Sequence, residues 1–181
     1  MAVILTISGS PAESSATARL LASHAVPRLV TQGHDVVHLA LRDLPPAPLL
    51  AQDADHPRLR QAAGLLAGAD GVVVATPVYK AAYSGLLKAF LDAMPRSGLA
   101  GKHVLQLVVG HDPAQGHPTH QALETVLLSM GARGRPDRCF LTGSAAREPS
   151  GPRHTDAIRR LDHALDRFGA HWRVPAGRGA A

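Results

Sequence analysis

Five hydroxyl side chains stand close together near the start of the chain: Ser8, Ser10, Ser14, Ser15 and Thr17. At the mouth of a helix, such hydroxyls and the free backbone N–H groups beside them can hold a phosphate monoester, helped by the helix dipole. No lysine or arginine lies among them, Arg19 being the first cation in the chain. The same residues would also serve as a serine-rich helix cap with no ligand at all. A second segment, Ala75-Thr76-Pro77-Val78-Tyr79-Lys80-Ala81-Ala82-Tyr83-Ser84-Gly85, carries both tyrosines of the protein. A flat aromatic ligand could lie along its Pro-Val-Tyr backbone and accept hydrogen bonds from the N–H groups that follow. The alternative is a turn whose aromatic rings pack on neighbouring helices or on another subunit. A third segment, Gly110-His111-Asp112, could relay a proton to a bound ligand or simply lie in solvent.

Other chemistries lack their residues. No G-x-G-x-x-G or G-x-x-x-x-G-K-[ST] follows the first apolar run, so neither a Rossmann fingerprint nor a Walker loop is present. A G-x-S-x-G nucleophile elbow is missing as well. Cys139 is the only cysteine, which excludes an intrachain disulfide or a cysteine-based zinc cluster and suits a small buried hydrophobe. His117-x-x-His120 could place two imidazoles on one helical face, but Pro118 stands between them, and no metal site is expected. With three Phe, two Tyr and one Trp, base stacking has few platforms. The net charge of +5 arises wholly from Arg133 onward, where ten arginines meet five acids. Because Arg outnumbers Lys sixteen to three throughout, this excess reflects general usage, and no nucleic-acid partner is expected. No signal sequence or apolar run near 18 residues is visible, so the expectation is a cytoplasmic protein with no membrane partner.

These segments must be held by an alternation of strands and helices. Val3-Ile4-Leu5-Thr6-Ile7 suits a strand buried on both faces, and Leu20, Leu21, Ala25, Val26 and Leu29 predict a helix from about Ser15 to Gln32, closed by Gly33. Asp35 to Leu39 follows as a strand, and Leu44-Pro45-Pro46-Ala47-Pro48 predicts an irregular surface loop. A helix from His56 to Ala67, capped by Asp55, leads to the strand Gly71 to Thr76, which Pro77 is expected to end. Beyond it come a helix from Ser84 or Gly85 to Met94, a strand from His103 to Val109, a helix capped by Thr119 and running to Met130, and a short strand from Arg138 to Leu141. The last helix, Asp156 to Trp172, sets Ile158, Leu161, Leu165, Phe168 and Trp172 on one core-facing stripe. Five strands alternating with helices imply an α/β fold with a doubly wound parallel sheet covered on both faces. Residues 1–174 would form one domain and 175–181 a flexible tail. Ligands bind such sheets at the carboxyl ends of the strands, where all three segments fall.

The segment from Ala75 to Lys88, with Asp92 a turn later, resembles the flavin loop of flavodoxin-like NADPH-dependent FMN reductases. The match is nearest to the reductase of the two-component alkanesulfonate-utilisation system. Gly9-Ser10-Pro11 and Ser15-x-Thr17 are similar to that family's phosphate loop. The resemblance runs from Val3 to about Met130. It implies a flavodoxin-like sheet of order 2-1-3-4-5, with FMN phosphate bound by Ser10, Ser15 and Thr17. Pro77, Val78, Tyr79 and Lys80 would line the isoalloxazine, Ser84 would support that loop, and Gly110 and His111 would make a third contact. No residue is assigned as catalytic.

Two positions depart from the family pattern. Ala12 stands where relatives often have arginine, which should weaken FMN retention, and Val109-Gly110-His111-Asp112 stands where Thr-Gly-Gly is common. The implied activity is hydride transfer from NADPH, or NADH, to FMN, with reduced flavin passed to a partner monooxygenase. The rival activities are an FMN-retaining quinone, azo or metal reductase, and a non-catalytic flavodoxin-like electron carrier. A homodimer or tetramer is implied too, the helices after Gly85 and Thr119 pairing across a two-fold axis and the neighbour completing the pocket beside Tyr83. The resemblance also implies an inserted residue, and so a π-bulge, at His120-Gln121.

Overall fold

Near-continuous apolar runs mark strands buried on both faces of a sheet, and the computed structural model, which describes residues 1–144 and 151–172, buries its three central strands in this way. Strands β1 (Val3–Ser8), β2 (Asp35–Ala40), β3 (Gly71–Tyr79), β5 (His103–Gly110) and β6 (Asp137–Thr142) are parallel and lie in the order β2-β1-β3-β5-β6. A two-residue strand, β4 (Ala82–Tyr83), folds back antiparallel on the end of β3. With β4 set aside, the order is the expected 2-1-3-4-5.

Helix α1 runs over 16–31, and α2 (Pro46–Ala51), α3 (Pro57–Gly68), α4 (Gly85–Ala93), α5 (Gly116–Ser129) and α6 (Pro152–Gly169) follow in chain order. One face of the sheet packs Ile4, Val73, Leu105 and Leu107 under α1 and α6, through Leu21, Leu29, Leu161 and Phe168. The other packs Leu5, Val72, Val74 and Val104 under α2 to α5, through Leu49, Leu66, Phe90 and Leu127. Ile158 and Trp172 are partly buried beside the stripe of α6.

Several elements differ from expectation, each for a local reason. The proline-rich stretch forms α2, because Pro46 and Pro48 sit in the first turn, where the missing N–H groups would have no partner anyway. Pro77 does not end β3, which runs on to Tyr79 and pairs Pro77 with Val109. The cap of α3 is His56, whose ring accepts from Arg58 N, and not Asp55. Thr119 lies inside α5, its hydroxyl donating to Gln115 O at 2.7 Å, so that helix starts a turn earlier than expected. Likewise α6 starts at Pro152. The expected π-bulge at His120-Gln121 is absent, since α5 is α-helical from end to end. A π segment sits instead at Leu21–Ala25 in α1, where Val26 N donates to Leu21 O. Pro27 explains it: its ring conflicts with the carbonyl four residues back, and a wider turn relieves that conflict. The tail 175–181 lies outside the described residues.

Candidate functional site

The carboxyl ends of β1, β3, β5 and β6 open on one cleft of about 240 Å³. Ser10, Ser14, Ser15 and Thr17 line it from the first loop, Pro77, Val78 and Tyr79 from the end of β3, and Gly110 and His111 from the end of β5. Ala12, Ala16, Val109 and Gly143 complete the wall. Eight of the ten expected site residues are therefore brought together, and Lys80 and Ser84 stand outside the lining.

The first loop is tied to β3 by a bond from Gly9 N to Ala75 O at 2.8 Å. A Cβ on Gly9 would lie 3.0 Å from Leu87 Cβ and 3.2 Å from Ala75 O, so any side chain there would press the loop away from α4. Ser10 Oγ accepts from Ala12 N, and Ser15 caps α1 by accepting from Ala18 N at 3.3 Å. Thr17 is 1% exposed and lines the cleft beside Ser10 and Ser15. Hydroxyls gathered on one cleft wall can donate to an anionic ligand. The N–H groups of Ala16 and Thr17, in the first turn of α1, have no intrahelical acceptor and add further donors.

The second loop is a hairpin turn between β3 and β4. Lys80 and Ala81 take φ values of 51° and 60°, a left-handed pair of the kind that a tight hairpin needs and that non-glycine residues adopt at a cost. Lys80 is consequently an exposed turn residue. Ser84 works from behind: its Oγ donates to Gly9 O at 2.5 Å and accepts from Leu87 N at 3.1 Å, and its N–H donates to Thr76 Oγ1 at 3.0 Å. One buried hydroxyl thus fastens the first loop to the start of α4. Burial raises the Tyr83 phenol above its usual range, while Lys88, 2.6 Å from Asp92, opposes that rise.

At the third loop a Cβ on Gly110 would lie 2.9 Å from Val78 Cγ2 and 3.2 Å from Phe140, so glycine keeps the two loops in contact. His111 is exposed on the rim. Asp112 caps the next turn by accepting from Ala114 N at 2.8 Å, and among the described residues no hydrogen bond joins it to His111. The paired relay is not formed. His120 is turned inward, with Nδ1 3.1 Å from Gln106 Oε1, and burial, with Arg138 nearby, lowers its pKa to about 4. Burial pushes the Cys139 thiol up to about 12, which removes it as a nucleophile.

Sequence reasoning missed Gly143, because attention stopped at the fourth strand although β6 ends at the same edge. It also missed Arg42, whose Nη1 donates to Ala12 O at 3.2 Å and Glu13 O at 2.8 Å. Another cleft, about 600 Å³, runs between β6 and α6 and is lined by Arg138, Arg159, Arg160 and Arg167. Its arginines are engaged by Glu124, Asp156 and Asp137, and it lies away from the loops, so size does not make it the site.

Residues 2–147 match the family model described as NADPH-dependent FMN reductase. The chain is 37% identical over 167 residues to an FMN reductase (NADPH) of Escherichia coli K12, covering 91% of this chain and 87% of that protein. It is 33% identical to an FMN reductase (NADPH) of Pseudomonas putida KT2440, covering 90% and 82%. Among solved structures, the apo form of an NADH:FMN oxidoreductase superposes with a TM-score of 0.84 at 37% identity, covering 98% of this chain and 94% of that one. An oxidoreductase of Corynebacterium diphtheriae, at 23% identity and a TM-score of 0.78 over 94% and 96% of the two chains, shares the fold.

Proposed function

The chain belongs to the NADPH-dependent FMN reductase family, oxidoreductases that act with FMN and NADPH, and we propose that the cleft at the ends of β1, β3 and β5 is where it holds the flavin. The observation that carries this is the convergence of three buried residues with hydroxyl side chains, Ser10, Ser15 and Thr17, on one wall of that cleft. Together with the first-turn N–H groups, these three hydroxyls are a donor set for the phosphate, a dianion at neutral pH. Pro77, Val78 and Tyr79 offer a flat backbone for the ring system, Lys80 sets the turn beside it, and Ser84 holds that turn against the phosphate loop. Gly110 and His111 close the far edge. When bound, FMN supplies a ring that accepts a hydride from NADPH; the chain contributes binding, orientation and partial exclusion of water. No protein acid or base is required.

Replacing Ser15 and Thr17 together by alanine tests the assignment. FMN affinity should fall by about a hundred- to ten-thousand-fold, two hydrogen bonds to a charged group being lost at about 1.5–3 kcal/mol each, while riboflavin affinity changes little. Equal loss for both flavins, or none, overturns it.

The rim is open, with Tyr79 and His111 both exposed, which favours exchange of flavin over permanent retention. We therefore take FMN as a substrate that leaves reduced and feeds a partner monooxygenase, as in the two-component alkanesulfonate arrangement that the sequence resembles. Protein that stays yellow after desalting would instead make it a flavin-retaining reductase. Residues 1–174 would act as one flavin-binding domain, and use of NADPH suits the cytoplasm. No helix among the described residues is long and apolar enough to cross a membrane.

A homodimer or tetramer completes the proposal. Leu41, Leu44, Leu49, Leu86 and Ala89 line an apolar groove between α2 and α4, Leu50 beside it is 75% exposed, and Leu128 on α5 is 44% exposed. A second copy covering these surfaces would bring its own residues near Tyr83. Light scattering at micromolar concentration decides: a monomer that still reduces FMN rules out the shared pocket.

A further inference from the structure

The loop that carries the hydroxyls contains no basic residue of its own, yet a cation reaches it from another strand. After β2 the chain makes a single 3-10 turn, Leu41–Asp43, anchored by Leu41 and Leu44, both buried in the core. Arg42 projects from this fixed turn, and its Nη1 donates to two successive carbonyls of the first loop, Ala12 O and Glu13 O. Its Nε lies 3.5 Å from Asp43, so the guanidinium is steadied from its own turn as well. A planar trans peptide sets its C=O and N–H on opposite sides. Holding the carbonyls of residues 12 and 13 therefore turns the N–H groups of Glu13 and Ser14 away from Arg42. Ala12 and Ser14 both line the cleft. The positive ends of these two peptide dipoles are thus turned away from the guanidinium, whose charge is shared with Asp43.

We propose that Arg42 is a positioning residue for the phosphate of FMN, orienting the Ala12–Ser14 peptides as anion donors and supplying the positive charge that the loop lacks. This rests on the cleft being the FMN site. It makes Arg42 a determinant of FMN over riboflavin, acting through the loop without occupying the cleft wall.

Fluorescence titration of FMN and riboflavin against wild type, Arg42→Ala, Arg42→Met and Arg42→Lys tests it. In Arg42→Ala the FMN dissociation constant should rise about ten- to a hundred-fold, the range for lost charge-assisted bonds, with riboflavin held within about three-fold. Arg42→Met keeps the aliphatic stem, which lines the same apolar groove as Leu49 and Leu50, and should behave like the alanine variant, so a folding defect in the latter does not decide the matter. Arg42→Lys keeps the charge and one carbonyl bond, and should recover a large part of FMN affinity. Equal weakening of both flavins, unchanged FMN affinity, or no recovery with lysine overturns the role given to Arg42. Wild type that binds FMN no better than riboflavin would instead refute the phosphate site itself.

Discussion

Ser84→Ala is the sharpest structural perturbation, because one hydroxyl holds two buried groups that have no route to water. Ser84 is 1% exposed; its Oγ donates to Gly9 O at 2.5 Å and caps α4 by accepting from Leu87 N at 3.1 Å. Loss of a serine cap costs about 1 kcal/mol. A buried carbonyl left unsatisfied adds about 1–3 kcal/mol. The variant should therefore lose about 2–4 kcal/mol of folding stability. With a urea m-value of about 2 kcal/mol/M, typical of small domains, the midpoint should fall by about 1–2 M with m unchanged. Because Gly9 leads straight into Ser10, flavin binding should weaken too, and FMN more than riboflavin. Ser84→Thr keeps the hydroxyl and should retain most of the stability that alanine loses. A midpoint shift below about 0.5 M for Ser84→Ala would refute the reasoning, since the two bonds would then contribute little net energy.

Three further outcomes follow from the geometry. His120, with a pKa of about 4 in the fold against 6.5 in the unfolded chain, contributes stability that is complete above about pH 6.5 and is lost as pH falls towards 4; the loss is about 3 kcal/mol, and His120→Gln should flatten that slope in urea titrations, an unchanged slope refuting the assignment to His120. Ala81→Gly relieves a left-handed φ of 60° and should raise stability by about 1 kcal/mol, whereas no gain in melting temperature would show that the turn is unstrained. Gly110→Ala forces a contact of 2.9 Å with Val78, and should weaken FMN and riboflavin alike, in contrast to the Arg42 and Thr17 variants; unchanged binding of both would place the ring system elsewhere.

Strands and helices were legible because their periodicity is a property of the chain itself. The β-branched run Gly71 to Thr76 and the stripe through Leu161, Leu165 and Phe168 could hardly be placed otherwise. Three local features hid from that test. Pro46 and Pro48 look like breakers until one sees that they fall in a first turn. The hairpin at Lys80-Ala81 lacks the Asn-Gly pair that announces such turns. The π segment of α1 answers to Pro27, which the apolar spacing ignores.

The site was legible where it was contiguous and illegible where it came together across strands. Yet parallel register carries more information than periodicity alone extracts. Ser8 lies level with Ala75 on one side and with Ala40 on the other. Two residues beyond these last pairs stand Ser10, Pro77 and Arg42, so the register directs all three to the same edge. In the same way Gly110 lies level with Thr142, so His111 and Gly143 meet one residue later. Once the strand order is fixed, the hydroxyl loop, the Pro-Val-Tyr segment, the arginine turn and the loop after the last strand must converge at one edge. A cation for the first loop should therefore be sought at the end of β2, a position that no inspection of the loop's own residues would suggest.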